Sequence, residues 1–125
     1  MINTIDVQPS VLNTFLAEIR NRDIQTDRMR FRRNLERIGE VLAYEISKTF
    51  AYSPVTVQTP IHSCEVILPS QEVVIATVLR AGLPFHQGFL NYFDHAGSAF
   101  VSARRAYNRT DGQIEIRFDS IYTPD

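Results

Sequence analysis

The segment Leu79–Pro84 carries the residues whose types and order best suit chemistry. The apolar run Val73–Val78 is followed by Leu79 and then by Arg80, Ala81 and Gly82, and a proline that suits the first turn of a helix ends the segment. In open α/β sheets, ligands bind beyond the carboxyl ends of the strands, where a helix start offers backbone N–H groups and a positive dipole end. An arginine fork there suits a phosphate or pyrophosphate group. Because short glycine loops are weak signals, spacing alone favours an ordinary strand-to-helix turn with an exposed arginine.

Two further arginines, Arg104 and Arg105, follow the apolar run Ala99–Ala103. If that run is a strand parallel to the first, both arginine-bearing loops open on the same side of the sheet, which strengthens the interpretation as an anion site. A solvated pair of arginines before a mobile hairpin is equally compatible with the sequence.

The arginines between Arg20 and Arg37 raise the question of nucleic-acid binding. Neither arginine-bearing face of the predicted helix stays basic, because one face continues to Glu36 and the other to Glu40. The whole chain has a net charge of −1. A solvated helix surface or a subunit contact is therefore favoured over nucleic-acid binding.

The remaining candidates for chemistry are three histidines and one cysteine. His62, His86 and His95 lie in different segments without the spacing of a zinc site, so no metal ligands are predicted and each is expected at the surface or in packing. Cys64 has no obvious base beside it and is expected to be an inert thiol.

The elements that must position these residues can be read from periodicity and turn signals. Apolar spacing predicts a helix over Val11–Arg20 capped by Ser10, and a longer helix over Asp27–Thr49 that Thr26 could cap. Pro54 ends this pattern.

A small hairpin is predicted next, with strands at Val55–Thr59 and Cys64–Leu68 and one face half-buried. The run Val73–Val78 predicts a strand covered on both faces, as in a parallel sheet. A helix over Phe85–Phe93 and the strand Ala99–Ala103 complete a β–loop–α–β crossover unit.

A tight turn is predicted at Asp111-Gly112, followed by an alternating strand over Ile114–Phe118. The 125 residues fit one domain, and the contents of 44% apolar and 22% charged residues are those of an ordinary globular protein. The lone cysteine fits a reducing cytosol. No apolar run approaches the ~20 residues of a membrane span, and no signal peptide is visible. We therefore expect a cytoplasmic protein with no membrane partner.

The segment Val73–Gly82, Val-Val-Ile-Ala-Thr-Val-Leu-Arg-Ala-Gly, resembles the core strand and first loop of uracil phosphoribosyltransferases. Other segments occur in family order: Arg22–Thr26, Phe31-Arg32, Tyr44-Glu45, Thr59-Pro60, Gly88, and Phe100–Ala103 followed by Arg105. The resemblance implies transfer of a phosphoribosyl group from phosphoribosyl pyrophosphate to uracil, with Mg²⁺, in a homodimer.

The resemblance also implies roles for individual residues. The pyrophosphate would bind at Arg80, Ala81 and Gly82, and Arg105 would provide a second basic contact. Arg80 and Arg105 would be catalytic by stabilising charge on the leaving pyrophosphate. Residues 107–113 resemble the flexible arm that closes over the site. Many relatives have Tyr-Arg where this chain has Arg104-Arg105, so Arg104 departs from the pattern.

Two family segments are absent from these 125 residues. One is the phosphoribosyl-binding loop, an acidic residue followed by Pro-Met-Leu-Ala-Thr-Gly, and the other is the later segment that recognises uracil. Residues 1–125 thus resemble the N-terminal part of one α/β phosphoribosyltransferase domain, with a helical part (about 1–52), a hairpin (53–70), and a β/α core and arm (71–125) that leaves a parallel sheet incomplete. We expect this chain alone to be inactive. The alternative is a truncated, non-catalytic relative that dimerises or binds an anion.

Overall fold

The computed structural model describes residues 8–107 and 114–124. This part of the chain contains three helices, α1 (Val11–Arg20), α2 (Arg28–Ser47) and α3 (Leu83–Leu90), and five strands, β1 (Tyr52–Gln58), β2 (Ser63–Pro69), β3 (Val74–Leu79), β4 (Gly97–Tyr107) and β5 (Ile114–Tyr122). The tight turn predicted at Asp111-Gly112 lies outside the described residues, as does most of the predicted arm. No helix within the described ranges is long and apolar enough to cross a membrane.

The two N-terminal helices begin at polar caps. Ser10 caps α1 in a reciprocal arrangement with Asn13, as predicted. The predicted cap Thr26 is wrong, because the Asp27 carboxylate accepts hydrogen bonds from two backbone N–H groups of the first turn of α2, each 3.0 Å long. The Thr26 hydroxyl instead donates to the carbonyl of Asp23. A carboxylate at this position also complements the helix dipole.

Strands β1 and β2 form the predicted antiparallel hairpin, with Val55 opposite Val66. Both strands are longer than predicted, and Pro54 lies inside β1 instead of preceding it. The expectation of a half-buried face is wrong, because Val55, Val57 and Val66 are 43%, 36% and 37% exposed. The hairpin therefore presents uncovered apolar side chains to solvent.

The second sheet has the strand order β3-β4-β5, with β3 parallel to β4 and β5 antiparallel to β4. The β3–α3–β4 segment is thus the predicted crossover unit, and the α/β fold class is confirmed. Within the described part of the chain, the other edge of β3 has no pairing strand. The sheet is incomplete at that edge, as expected.

Strand β3 is buried on one face only. Ile75 and Thr77 are buried, whereas Val74 and Val78 are 58% and 57% exposed. The prediction of cover on both faces is wrong, because α3 covers one face and no described element covers the other. A cavity of about 300 Å³ opens where β3 meets α3, and Phe89 is among its apolar lining residues.

Helices α2 and α3 touch backbone to backbone at Gly39 and Gly88. A Cβ on Gly88 would overlap the carbonyl oxygen of Glu36, and a Cβ on Gly39 would lie 2.6 Å from the carbonyl oxygen of Phe85. Next to this contact, the Asn91 side chain donates hydrogen bonds to carboxylates on α2. Glycine at both positions allows the close approach that orients α3 on α2.

We predict that Gly88→Ala destabilises the protein by about 1–2 kcal/mol. Alanine would add about 1 kcal/mol of helix propensity, but its Cβ would overlap rigid backbone, so overpacking should cost about 2–3 kcal/mol, at the upper end of its usual range. Urea denaturation measures the difference. The exposed control Arg32→Ala should change stability by less than about 0.5 kcal/mol. A Gly88→Ala protein as stable as the parent would contradict the contact.

We also predict that the isolated 125-residue chain self-associates. The free edge of β3 offers unpaired backbone groups, and exposed apolar side chains lie on β1, β2 and β3. Such an edge is a template for pairing with another chain. Light scattering across a concentration series measures the mass in solution. A monodisperse monomer at high concentration would contradict this prediction.

Candidate anion site

The loop Arg80–Gly82 connects the carboxyl end of β3 to the start of α3. The peptide bond between Leu79 and Arg80 is cis. The Gly82 N–H donates to the Val78 carbonyl at 3.2 Å, and the next N–H donates to the Arg80 carbonyl at the same distance. The loop is therefore folded closely onto the end of the strand.

Arg80 is exposed, and its guanidinium has no hydrogen-bond or ion-pair partner among the described residues. Gly82 is the N-cap of α3 and contributes no side chain to cap the first turn. A positive side chain thus lies beside an uncapped positive helix end. This combination can bind an anion with a guanidinium fork and a helix dipole.

Arg104 and Arg105 lie inside β4 and not in a loop after it, so that part of the prediction is wrong. Strand β4 runs on to Tyr107, and its two arginines are paired with Arg117 and Ile116 of β5. Strand β4 pairs with β3 only as far as Ser102, and beyond that residue it continues to pair with β5. Backbone pairing with β5 therefore keeps both arginines inside the strand.

The two adjacent arginines in β4 have different partners. The Arg104 Nε donates to the Asp119 carboxylate at 3.1 Å across the hairpin. Arg105 is exposed and forms no such contact with a described residue. Adjacent residues of a strand point to opposite faces. Arg105, which lies beyond the end of β3, therefore remains the candidate for a second basic contact, while Arg104 pairs with Asp119 of β5.

Sequence reasoning gave His86 no role beyond the surface or packing, and the structure buries it between α3 and the sheet with 5% exposure. Its Nδ1 lies 2.8 Å from the Thr77 hydroxyl and its Nε2 lies 3.1 Å from the Ser98 hydroxyl. The ring also packs 5.1 Å from the Phe100 ring, centroid to centroid. Burial lowers the pKa of His86 below its usual value. The available signal was a histidine in the helix Leu83–Leu90, where Gln87 is the only other polar side chain.

The described residues contain no group of three or more His, Cys, Asp or Glu side chains that could hold a metal ion. The donor set here does not fit a resident Mg²⁺, because hard cations need several oxygen ligands.

The sequence of this chain matches one family of known proteins. The family model described as uracil phosphoribosyltransferase matches residues 7–117. The uracil phosphoribosyltransferase of Porphyromonas gingivalis is 52% identical over 122 residues, which cover 97% of this chain and 56% of that protein. This chain belongs to the uracil phosphoribosyltransferase family.

More distant relatives agree with this assignment. The uracil phosphoribosyltransferase of Pyrococcus furiosus is 41% identical over 111 residues, which cover 87% of this chain and 46% of that protein. The solved structure of the AQ2163 protein from Aquifex aeolicus superposes with a TM-score of 0.79 at 23% identity, covering 96% of this chain and 55% of that one, and supports the fold. The chain thus spans about half the length of the relatives it matches.

The buried state of His86 predicts a pH dependence of stability. Because its folded pKa is lowered, the unfolded chain binds a proton first as pH falls. Stability is full above the usual pKa of about 6.5 and is lost progressively as pH falls toward the lowered folded pKa. The pKa of Glu36 is lowered by a hydrogen bond from Arg33, so its contribution is lost only at lower pH.

Urea denaturation between about pH 7.5 and about pH 5 measures this slope. His86→Gln should be less stable at neutral pH and should lose less stability on acidification than the parent. The control Met29→Leu changes an exposed side chain that does not titrate and should keep the parent slope. Parallel slopes for the parent and His86→Gln would show that His86 does not titrate as described.

Proposed function

We propose that this chain provides the pyrophosphate-binding part of an enzyme of pyrimidine salvage, which transfers a phosphoribosyl group from phosphoribosyl pyrophosphate to uracil. The products are uridine monophosphate and pyrophosphate. The observation that carries the proposal is the Arg80–Gly82 loop, an exposed arginine and an uncapped helix start at the carboxyl end of a parallel strand. The names of the relatives supply the substrate uracil.

The chemistry assigned to the loop is electrostatic. As the bond between the ribose and the pyrophosphate breaks, negative charge grows on the leaving group. The guanidinium of Arg80 and the positive dipole end of α3 stabilise that charge from one side, and Arg105 does so from the β4–β5 hairpin. Mg²⁺ enters as part of the substrate complex with phosphoribosyl pyrophosphate. We also propose that the enzyme is a homodimer in the cytoplasm.

Replacement of Arg80 tests the loop directly. In the full-length protein, Arg80→Ala should lower kcat/KM for phosphoribosyl pyrophosphate roughly 10- to 150-fold, because a charge-assisted hydrogen bond is worth about 1.5–3 kcal/mol. Steady-state formation of uridine monophosphate measures it. Arg28→Ala, at an exposed arginine on α2, is the matched control and should keep the parent rate. An unchanged kcat/KM in Arg80→Ala would remove Arg80 from the site.

The 125-residue chain by itself should not turn over. Among the described residues only β3 is followed by a helix, so one strand-to-helix loop is available for phosphate groups. Transfer also needs a cradle for the ribose 5′-phosphate and fixed partners for uracil, and positioning both substrates supplies much of the rate. The assay compares uridine monophosphate formation by this chain and by the full-length protein. Activity within about tenfold would contradict the prediction. A full-length protein that binds pyrophosphate or dimerises but also fails to turn over would favour the alternative, a non-catalytic module.

A further inference from the structure

His86 bridges two strands of the sheet from inside α3. One ring nitrogen contacts the Thr77 hydroxyl on β3 and the other contacts the Ser98 hydroxyl on β4. We call these three side chains the imidazole bridge. Thr77 is 8% exposed and His86 is 5% exposed, so the bond between them is shielded from water. The bridge therefore joins the three elements of the crossover unit at one point.

The bridge is also connected to the last residue of the anion loop. The His86 backbone N–H donates to the Gly82 carbonyl at 2.9 Å. Thr77 packs directly beneath the same residue, since a Cβ on Gly82 would lie 2.7 Å from the Thr77 Cγ2 methyl. Gly82 is thus held by His86 from one side and by Thr77 from the other. The orientation of the Thr77 side chain is fixed in turn by its bond to the imidazole.

We propose that the imidazole bridge is the positioning device that holds the Arg80–Gly82 loop in its anion-binding conformation. The consequence for affinity rests on the proposed function, in which this loop binds pyrophosphate. His86 does not contact Arg80 and is not itself a catalytic residue. It acts through Thr77 and through the backbone of Gly82.

Hydrogen-bond chemistry supports this assignment over simple packing. A neutral imidazole has one N–H and one lone pair, so it donates to one hydroxyl and accepts from the other. A protonated ring would offer two donors and would require both hydroxyls to accept. The ring packs against Phe100, and the described residues around the adjoining cavity are apolar apart from Thr77 and His86 themselves. Because each hydroxyl can donate or accept, a neutral ring in either tautomer satisfies the bridge.

Substitutions that preserve shape separate positioning from packing. Thr77→Val removes the hydroxyl and keeps a methyl beneath Gly82. Ser98→Ala breaks the other half of the bridge, and Ser98→Thr restores a hydroxyl there. His95→Gln is the control at an exposed histidine. Each variant is first shown to be folded by its thermal midpoint, and all measurements are made well below that temperature.

The first readout needs no ligand. In ¹⁵N NMR spectra of the 125-residue protein at neutral pH, the His86 ring should be neutral, with only one of its two nitrogens protonated in either tautomer. Thr77→Val should shift the backbone amide signals of Ala81 and Gly82, while His95→Gln should leave them unchanged. A doubly protonated ring, or loop amides that do not respond to Thr77→Val, would overturn the inference whether or not pyrophosphate binds.

The second readout is the dissociation constant for magnesium pyrophosphate, measured by calorimetry. Thr77→Val and Ser98→Ala should weaken binding at least roughly fivefold, the value of about one hydrogen bond, and Ser98→Thr should restore it. Unchanged affinity in both loss variants would also overturn the inference. If the loop amides respond as expected but the parent protein does not bind pyrophosphate, the positioning role stands and the proposed function fails.

Discussion

The backbone contact between α2 and α3 is the constraint on which the rest of the site depends. Glycine at positions 39 and 88 lets the two helices approach until a single added methyl group would collide with a carbonyl oxygen. The same contact keeps α3 from sliding or rotating on α2. Because Gly82 also packs against the Thr77 methyl and the Val78 carbonyl oxygen, the first residue of α3 has a defined position relative to β3. The loop Arg80–Gly82 must then span a fixed and short distance.

That short span explains why the anion site is built almost entirely from local structure. The end of β3 sets the direction in which the loop leaves the sheet. The start of α3 supplies a positive dipole end, and Arg80 supplies a positive charge. Buried polar contacts between α3 and the two parallel strands fix the loop from below through Thr77 and His86. The hairpin that carries Arg105 reaches the same end of the sheet only because β4 runs past the end of β3.

Local patterns allowed much of this architecture to be predicted, and tertiary contacts account for the differences. The amphipathic spacing of α1, the β-branched run of β3 and the proline in the first turn of α3 each have one dominant physical reading, and the structure follows them. Residue spacing does not show whether Thr26 or Asp27 caps α2, because the choice depends on the geometry of the preceding loop. The extension of β4 through Arg105 depends on pairing with β5, in which the partner of Arg105 is Ile116, eleven residues later in the sequence. The exposure of one face of β3 could not be predicted, because it depends on which elements cover the sheet. The contacts of His86 depend on the hydroxyls of Thr77 and Ser98, which lie nine and twelve residues away in the sequence.

The central claim, that the loop at the end of β3 binds pyrophosphate, is tested most directly by mapping where magnesium pyrophosphate binds. Titration of the ¹⁵N-labelled protein should shift the amide signals of Arg80, Ala81 and Gly82 first, and the signal of Arg105 with them. Signals at the opposite end of the sheet, such as Gly97, should not move. Shifts centred on that opposite end, or no saturable shift at the loop, would contradict the account.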